Sequence, residues 1–331
     1  MDQPAAVPAA AGRQQNARLG ILFVLIAVAA ISVNDMMIKF LSGDYPLHQI
    51  VFMRSAIGIS ISLAILQFEG GLRALATDRP VAHLGRGLSI VVANMLFFAA
   101  LPIMPLADAT ALFFVAPLFI TMLSLPLLGE RVGRHRLSAV MVGFLGVLVM
   151  LGPGASTDTS VAVLALPVGA AFFYALMQVM TRRLGVAATA SAMAVYVQGT
   201  FILISVIFFA IAGDGRFADG VESASVRFLL RAWIWPEAGD IPLIFVLGLA
   251  SGVIGYGLSQ AYRVAQPATV APFEYTLMPL SIVWGVIVFG DLPGPGTLVG
   301  IALIIGAGLY VWLRERSRGR PIGHNRPIRR G

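Results

Sequence analysis

Four ionisable side chains, Asp35, Lys39, Arg54 and Glu274, lie within long apolar stretches of the sequence. Ionisable groups are costly to place in hydrocarbon, so in membrane-spanning segments they usually serve binding or transport. Asp35 and Lys39 are four residues apart and would share one face of a helix. Two interpretations are open: the pair neutralises itself for structural reasons, or both side chains, with Asn34, contact a polar solute. For Arg54 three roles are open: snorkelling to the membrane surface, pairing with Asp35, and holding an anionic group.

Glu274 differs from the other three because no basic residue lies within ten positions of it. It is flanked by Pro272 and Tyr275. A carboxyl group in apolar surroundings can load and release a proton or bind a cation, which makes it a candidate functional group. The alternative is a structural hydrogen bond to a neighbouring helix. The sequence favours binding of substrate or proton.

Polar side chains recur at helical spacing in two further apolar stretches. Tyr174 and Gln178 are four residues apart, as are Tyr256 and Gln260, so each pair shares a helical face. Both faces are predicted to line a cavity wall. The full predicted site for substrate or proton consists of Asn34, Asp35, Lys39, Arg54, Tyr174, Gln178, Tyr256, Gln260, Glu274 and Tyr275.

The composition defines the elements that must position these residues. Of 331 residues, 58% are hydrophobic and only 12% are charged, with a mean hydropathy of +0.87. A soluble domain carries about a quarter charged residues, so the chain is predicted to be an all-α integral membrane protein. The absence of cysteine excludes thiolate metal sites and cysteine nucleophiles. The four histidines are far apart in sequence and no P-loop is present, so neither a metal site, a cofactor nor ATP-driven pumping is predicted.

Ten stretches are long enough to cross a bilayer, which takes about 20 apolar residues per helix. With ten spans, 18 of the 23 basic residues fall in segments on the same side of the membrane as the N-terminus. Three fall in the loop 213–240 on the opposite side. Because basic residues collect in cytoplasmic loops, both ends of the chain are predicted to be cytoplasmic. Residues 1–18 are predicted to form a disordered tail and 314–331 a basic tail, with membrane lipid rather than nucleic acid as its partner. The predicted spans are 19–41, 47–68, 85–104, 108–128, 136–152, 161–181, 190–212, 241–262, 268–289 and 296–313.

Two parts of the chain resemble each other at an offset of 161 residues. This offset places Glu130 on Asp291, and each of these acids follows a glycine at the end of a span. Both acids are predicted to cap the following helix and to fix the loop rather than to touch solute. The first spans of the two halves also align, with Lys39 over Arg182. Each half has five spans, an odd number, so the second half is predicted to lie upside down relative to the first. Inverted repeats are typical of secondary transporters, whose site lies between the halves.

Several short motifs occur in a characteristic order. They are Lys39 late in the first span, Pro46 and Arg54 around the second, "PLADATALFFVAPLF…LLGERV" at 105–132, and "ATVAPFEYT" at 268–276. In order and spacing the sequence resembles the EamA-type transporters of the drug/metabolite transporter superfamily. The resemblance divides the membrane portion into two five-helix EamA-like repeats, 19–152 and 161–313.

The resemblance implies proton-coupled or exchange-type movement of a small metabolite by alternating access. Members of the family include importers of S-adenosylmethionine or riboflavin and exporters of amino acids, so substrate and direction stay open. An intramembrane enzyme and a channel are less favoured alternatives, because the sequence shows no catalytic motif and no filter. With 22 arginines, one lysine and no cysteine, the composition is typical of a high-GC bacterium and hence of its inner membrane. The expected partners are a small-molecule substrate and lipid, with the chain as a monomer or homodimer.

Overall fold

The computed structural model describes residues 17–77, 80–128, 134–151, 160–184, 189–265 and 271–317. Within these ranges the regular structure is helical and no strand occurs. Most of the two predicted tails lies outside the described residues, as does Glu130. The described chain is therefore all-α, as the composition predicts.

Twelve α-helices are defined in the described residues, numbered here in chain order. Short 3-10 turns cover Gly71–Leu75 and Ala271–Thr276, and a π-helical turn covers Gly285–Phe289. The helices are α1 (Ala17–Leu41), α2 (Leu47–Phe68), α3 (Pro80–Ala100), α4 (Leu106–Phe113), α5 (Ala116–Leu128), α6 (Arg134–Leu151), α7 (Val161–Leu184), α8 (Ala190–Ala212), α9 (Ala224–Leu230), α10 (Ile241–Val264), α11 (Leu277–Trp284) and α12 (Pro295–Ser317).

Six of these helices are long and apolar enough to cross a membrane, namely α1, α2, α3, α7, α8 and α10. Four shorter apolar helical segments accompany them, at Leu106–Ile120, Leu137–Met150, Phe273–Phe289 and Pro295–Tyr310. Many large apolar side chains on these helices are exposed, a distribution that suits contact with lipid. The chain is a multi-pass membrane protein.

Two of the predicted spans are interrupted. The predicted span 108–128 is two helices, α4 and α5, which meet at the turn of Phe114 and Val115. The predicted span 268–289 begins with the 3-10 turn that carries Glu274 and ends in the π-helical turn. Pro279 explains why this span begins with a 3-10 turn. It has no N–H to bond the carbonyl of Tyr275, four residues earlier, and its ring clashes with that carbonyl, so α11 cannot extend back through Tyr275. Glu274 thus lies in a tight 3-10 turn rather than in an α-helix.

The helices pack in a few long pairs. α1 lies against α10, α3 against α7, α6 against α12, and α2 against both α8 and α10. Small residues permit the close approaches: a Cβ on Gly146 of α6 would lie 2.9 Å from the carbonyl oxygen of Gly300 of α12. Gly248 of α10 leaves room in the same way for Ile57 of α2. Such glycine contacts are common between helices in membranes, where backbone proximity replaces hydrophobic collapse.

Hydrogen bonds group the helix ends into two sets, here called the Lys39 end and the Glu69 end after the residues found there. At the Lys39 end, the turn between α1 and α2 is fastened to the 213–240 loop, since Tyr45 donates to Asp240 over 2.6 Å. Burial, together with this hydrogen bond, raises the pKa of the Tyr45 hydroxyl. At the Glu69 end, Tyr196 of α8 donates to the carbonyl of Leu75 in the first 3-10 turn. The two ends are thus closed by separate sets of contacts.

Candidate solute-binding site

Three predicted site residues meet in a buried group between α1, α2 and α3, here called the Arg54 cluster (Asn34, Asp35, Arg54 and Asn94). Arg54 donates through one terminal nitrogen to Asn34 Oδ1 and through the other to Asn94 Oδ1, each over 2.8 Å. Asn34 in turn donates to Asp35 Oδ1 over 2.9 Å. Arg54 is only 4% exposed, so it does not snorkel to the surface.

The Arg54 cluster holds two opposite charges that have no direct ion pair between them. Asn34 bridges Arg54 to Asp35, and the two charged groups attract each other across it. The guanidinium also lies 5.4 Å from the ring centre of Phe98 and 5.1 Å from that of Phe201. Its Nε has no hydrogen-bond partner among the described residues. A buried charge needs such compensation, and the open Nε leaves one donor for a further acceptor.

Lys39 is held at the end of the bundle instead of facing Asp35. Its Nζ lies 2.8 Å from Asp291 Oδ2 and donates to the carbonyl of Met104 over 3.1 Å. The ammonium also lies 4.6 Å from the ring centre of Phe289. These contacts, here called the Lys39 bridge, show that the interpretation of Asp35 and Lys39 as a self-neutralising pair was wrong.

For Asp291 the predicted capping role was wrong, whereas the predicted role in fixing the loop agrees with its contacts. α12 begins at Pro295, so Asp291 lies too far ahead of it to act as its cap. Its carboxylate instead accepts from Lys39, and its N–H donates to the carbonyl of Gly285. Gly290, with φ +69°, makes the left-handed turn that brings Asp291 into this position.

Four more of the predicted residues join Phe113 in a second group, here called the Glu274 cluster (Phe113, Tyr174, Gln178, Glu274 and Tyr275). Gln178 donates to the Tyr174 hydroxyl over 2.8 Å, as their spacing on α7 suggested. Glu274 is close enough to Tyr174 and Tyr275 for electrostatic interaction with both. The ring of Phe113 lies 5.3 Å from that of Tyr174. A carboxylate that interacts electrostatically with two tyrosines, near aromatic rings, can bind a proton or an organic cation.

A row of aromatic rings connects the two clusters. The guanidinium of Arg54 faces Phe98, the ring of Phe98 lies 5.4 Å from that of Phe97, and Phe97 lies 5.4 Å from Phe113 of the Glu274 cluster. The rings pack edge to face on one another, so the two clusters are joined by continuous aromatic packing.

Tyr256 and Gln260 belong to a different place. Gln260 donates to the Tyr256 hydroxyl over 2.8 Å, but it also donates to Glu69 over 3.2 Å at the Glu69 end. Glu69 binds Ser191 of α8 as well, over 2.6 Å. Each tyrosine–glutamine pair shares a helical face, as its spacing predicts, and the two pairs belong to different groups of contacts.

Neither of two cavities between the described helices is lined by the Arg54 cluster or by Glu274. One of about 330 Å³ lies between α3 and α8 and is lined by Pro80, Val81, His83, Leu84, Tyr196 and Thr200. Another of about 140 Å³ involves Tyr256 and apolar residues of α1, α2 and α10. Among the described residues no group of three histidine, aspartate or glutamate side chains could hold a metal ion.

Sequence reasoning missed Asn94, Asp291 and Glu69 as partners of the predicted residues. Asn94 gave a detectable signal, because an amide in an apolar stretch needs a buried partner. Asp291 was noticed at a helix end but assigned to its own neighbourhood. Its true partner lies 252 residues away in sequence, and no local pattern gives that distance.

An all-helical membrane protein with charged groups paired in its interior has the features of a transporter. Residues 18–152 match the EamA-like transporter family. The chain is 30% identical over 306 residues to the riboflavin transporter of Vibrio cholerae, with 90% of this chain and 95% of the relative covered. The chain belongs to the EamA-like transporter family, within the drug/metabolite transporter superfamily.

Two further relatives differ in the solute and direction given by their names. The S-adenosylmethionine uptake transporter of Rickettsia prowazekii is 26% identical over 298 residues, which cover 90% of this chain and 94% of that protein. The pseudopaline exporter CntI of Pseudomonas aeruginosa is 27% identical over 287 residues, which cover 86% and 93%. These names point to transport rather than catalysis.

Proposed function

We propose that this chain is a secondary transporter that takes up a small organic metabolite by alternating access between two inverted five-helix repeats. The observation that carries the proposal is the arrangement of two charged clusters along one row of aromatic rings. Buried charges are retained at a cost in stability, and in membrane helices they usually contact the transported species.

The helix bounds support the inverted repeat. At the offset of 161 residues, α3, α5 and α6 correspond to α10, to α11 with its π-helical turn, and to α12. At the offset that places Lys39 on Arg182, α1 and α2 correspond to α7 and α8. The packing follows the same exchange: α1 lies against α10 and its counterpart α7 against α3, while α2 lies on its counterpart α8 and α6 on α12.

Side chains near the proposed symmetry axis support it too. Phe114 and its counterpart Tyr275 contact each other with ring centres 5.3 Å apart, as residues close to a two-fold axis should. Phe113, the counterpart of Glu274, shares the neighbour Tyr174 with it. The carboxylate is thus present in one repeat and absent from the other, so the repeat architecture does not require it.

The grouping of helix ends favours the predicted topology, with both termini cytoplasmic in a bacterial inner membrane. The basic residues then place the Glu69 end inside and the Lys39 end outside. In this structure the Lys39 bridge joins α1 to the segment before α12 across the outside end. In the proposed topology this contact would hold the transporter in a state closed toward the outside.

The Glu274 cluster suits a solute with a positive charge and a flat ring, because it offers a carboxylate among aromatic faces. S-adenosylmethionine has both features and is the first candidate substrate. Riboflavin, a flat neutral ring, is the second, since the riboflavin transporter of Vibrio cholerae is 30% identical. Export is the competing direction, favoured by the similarity to CntI.

The test is solute transport by the purified chain in proteoliposomes, with radiolabelled S-adenosylmethionine and riboflavin as separate substrates. We expect Glu274→Gln to abolish accumulation of the true substrate. Glu237→Gln, the same change at an exposed position of the outer loop, should leave transport at the wild-type rate. Undiminished uptake in Glu274→Gln would contradict the assignment of Glu274. Movement only from the cytoplasmic face outward would contradict uptake and favour export.

A further inference from the structure

A second buried arginine, Arg86, lies on α3 and belongs to neither cluster. Arg86 lies less than two turns from the start of the helix at the Glu69 end and is only 7% exposed. Its Nε is buried and has no hydrogen-bond partner among the described residues. The predicted topology accounts for Arg86 as one of many basic residues on the cytoplasmic side. It does not account for the burial of more than nine-tenths of this residue.

The neighbours of Arg86 on α3 show which way it faces. Gly85 contacts Met180 of α7, and Gly87 contacts Thr200 of α8, so these two rows of α3 face protein. At about 100° per residue, Arg86 lies between the two rows, on the side away from the exposed apolar face. Its side chain therefore projects between α7 and α8 into the bundle. The residues of the exposed face are Val81, Leu84, Leu88 and Val92.

Arg86 also lies in line with the Arg54 cluster. Asn94, which binds Arg54, follows Arg86 by eight residues on α3, a rise of about 12 Å toward the Lys39 end. A solute that leaves the Arg54 cluster toward the Glu69 end would therefore meet the guanidinium next.

The Nε of Arg86 is a buried donor without an acceptor among the described residues. Such a donor has lost its hydrogen bond with water, and an anion supplies a strong acceptor for it. The planar fork of arginine fits the two oxygens of a carboxylate or phosphate. No aspartate or glutamate among the described residues forms an ion pair with Arg86.

We infer that Arg86 binds an oxyanion, a carboxylate or phosphate, of the transported solute on the Glu69 side of the Arg54 cluster. The inference rests on the proposed function, because it takes the bundle interior as the path of the solute. It defines the substrate class more narrowly: the solute carries an oxyanion in addition to the group that Glu274 binds. A carboxylate-bearing cation such as an amino-acid derivative meets both requirements, whereas riboflavin meets neither.

Acetate and inorganic phosphate are suitable probes, because binding of either does not depend on the identity of the solute. The full chain, purified in detergent and freed of lipid, is titrated with each anion at constant ionic strength while its unfolding midpoint is measured. We expect a saturable rise of about 2–4 °C when the anion reaches several times its Kd. The rise should be absent in Arg86→Gln and smaller in Arg86→Lys. It should be intact in Arg73→Gln, which alters an exposed arginine at the same end.

A second readout separates binding from structure. Without anion, Arg86→Gln should unfold at the wild-type temperature or above it, because the substitution removes a buried donor that has no acceptor. A lower midpoint without anion, or an anion response that survives in Arg86→Gln, would overturn the inference. A response to phosphatidylglycerol vesicles but to neither soluble anion would assign Arg86 to a lipid headgroup and likewise overturn it. If the anion response is normal while proteoliposomes transport no solute, the proposed function fails and the anion site stands.

Discussion

Removing the Lys39 bridge should open the outside end of the protein. Two unit charges 4 Å apart interact by about 4 kcal/mol at an effective dielectric constant of 20, and the Lys39–Asp291 distance is only 2.8 Å. Desolvation offsets much of this gain, and the Asp291 side chain is 31% exposed to screening solvent. A net coupling of about 1–2 kcal/mol remains, which corresponds to a change of roughly 5–30-fold in the ratio of closed to open states.

A single introduced thiol can report this change, because the sequence contains no cysteine. Thr110 of α4 is suitable, since it is only 1% exposed and donates to Ser281 over 3.1 Å. In Thr110→Cys proteoliposomes, the rate of reaction with a membrane-impermeant maleimide measures how often the outside end opens. Lys39→Met and Asp291→Asn are each expected to raise that rate by roughly 5–30-fold.

The double variant distinguishes a bridge from two independent effects. If the two charges act through each other, Lys39→Met with Asp291→Asn should react no faster than either single variant. The exposed pair of Arg216 and Asp214, 3.7 Å apart at the same end, provides the control, and Asp214→Asn should leave the rate unchanged. Labelling rates that stay at the control level in both single variants, or that multiply in the double variant, would refute the reasoning.

Two further substitutions test the clusters themselves. Gly308→Ala should weaken solute binding several-fold and destabilise the protein by about 1–3 kcal/mol, because the new methyl group would overlap the Tyr275 hydroxyl. In the control Gly306→Ala the new methyl group meets nothing within 4 Å, so neither effect is expected. Equal thermal midpoints and equal affinities for the two variants would contradict the packing around Gly308. Asn94→Leu removes one acceptor from Arg54 and should lower the free energy of unfolding, measured with a chemical denaturant, by about 1.5–3 kcal/mol. Asn94→Asp should retain the stability through an ion pair with Arg54. An undiminished stability of the leucine variant would show that Arg54 does not depend on this bond.

Hydropathy predicted the long helices well because their cause is local. A run of about 20 apolar residues must satisfy its backbone internally in lipid, and only a helix does this with neighbours in sequence. The bounds of α2, 47–68, and of α8, 190–212, agree with the prediction. Interruptions were harder to predict. The break at Phe114 lies three residues before Pro117. Proline has no N–H to bond the carbonyl of Phe113 and its ring clashes with that carbonyl, but the sequence does not say whether the helix bends there or ends.

In the candidate site, too, local contacts could be predicted from the sequence and contacts between distant segments could not. The hydrogen bond between Tyr174 and Gln178 follows from spacing on one helix, and so does that between Tyr256 and Gln260. Whether two such pairs share a cavity depends on how helices are arranged, which the spacing does not contain. The second pair accordingly binds Glu69 instead of lining the same wall.

The two charged side chains on the last turns of α1 take part in different contacts, although they are only four residues apart. Asp35 enters the Arg54 cluster, while Lys39, about 6 Å further along the helix, enters the bridge to Asp291. α1 is continuous between them, so a displacement at one contact is carried to the other. In the proposed transport cycle, a solute that binds more tightly when Asp35 and Arg54 have shifted would therefore weaken the bridge by its difference in affinity for the two states. A solute indifferent to that shift would bind without opening the outside end, however high its affinity. Selectivity and gating would then depend on the same helix.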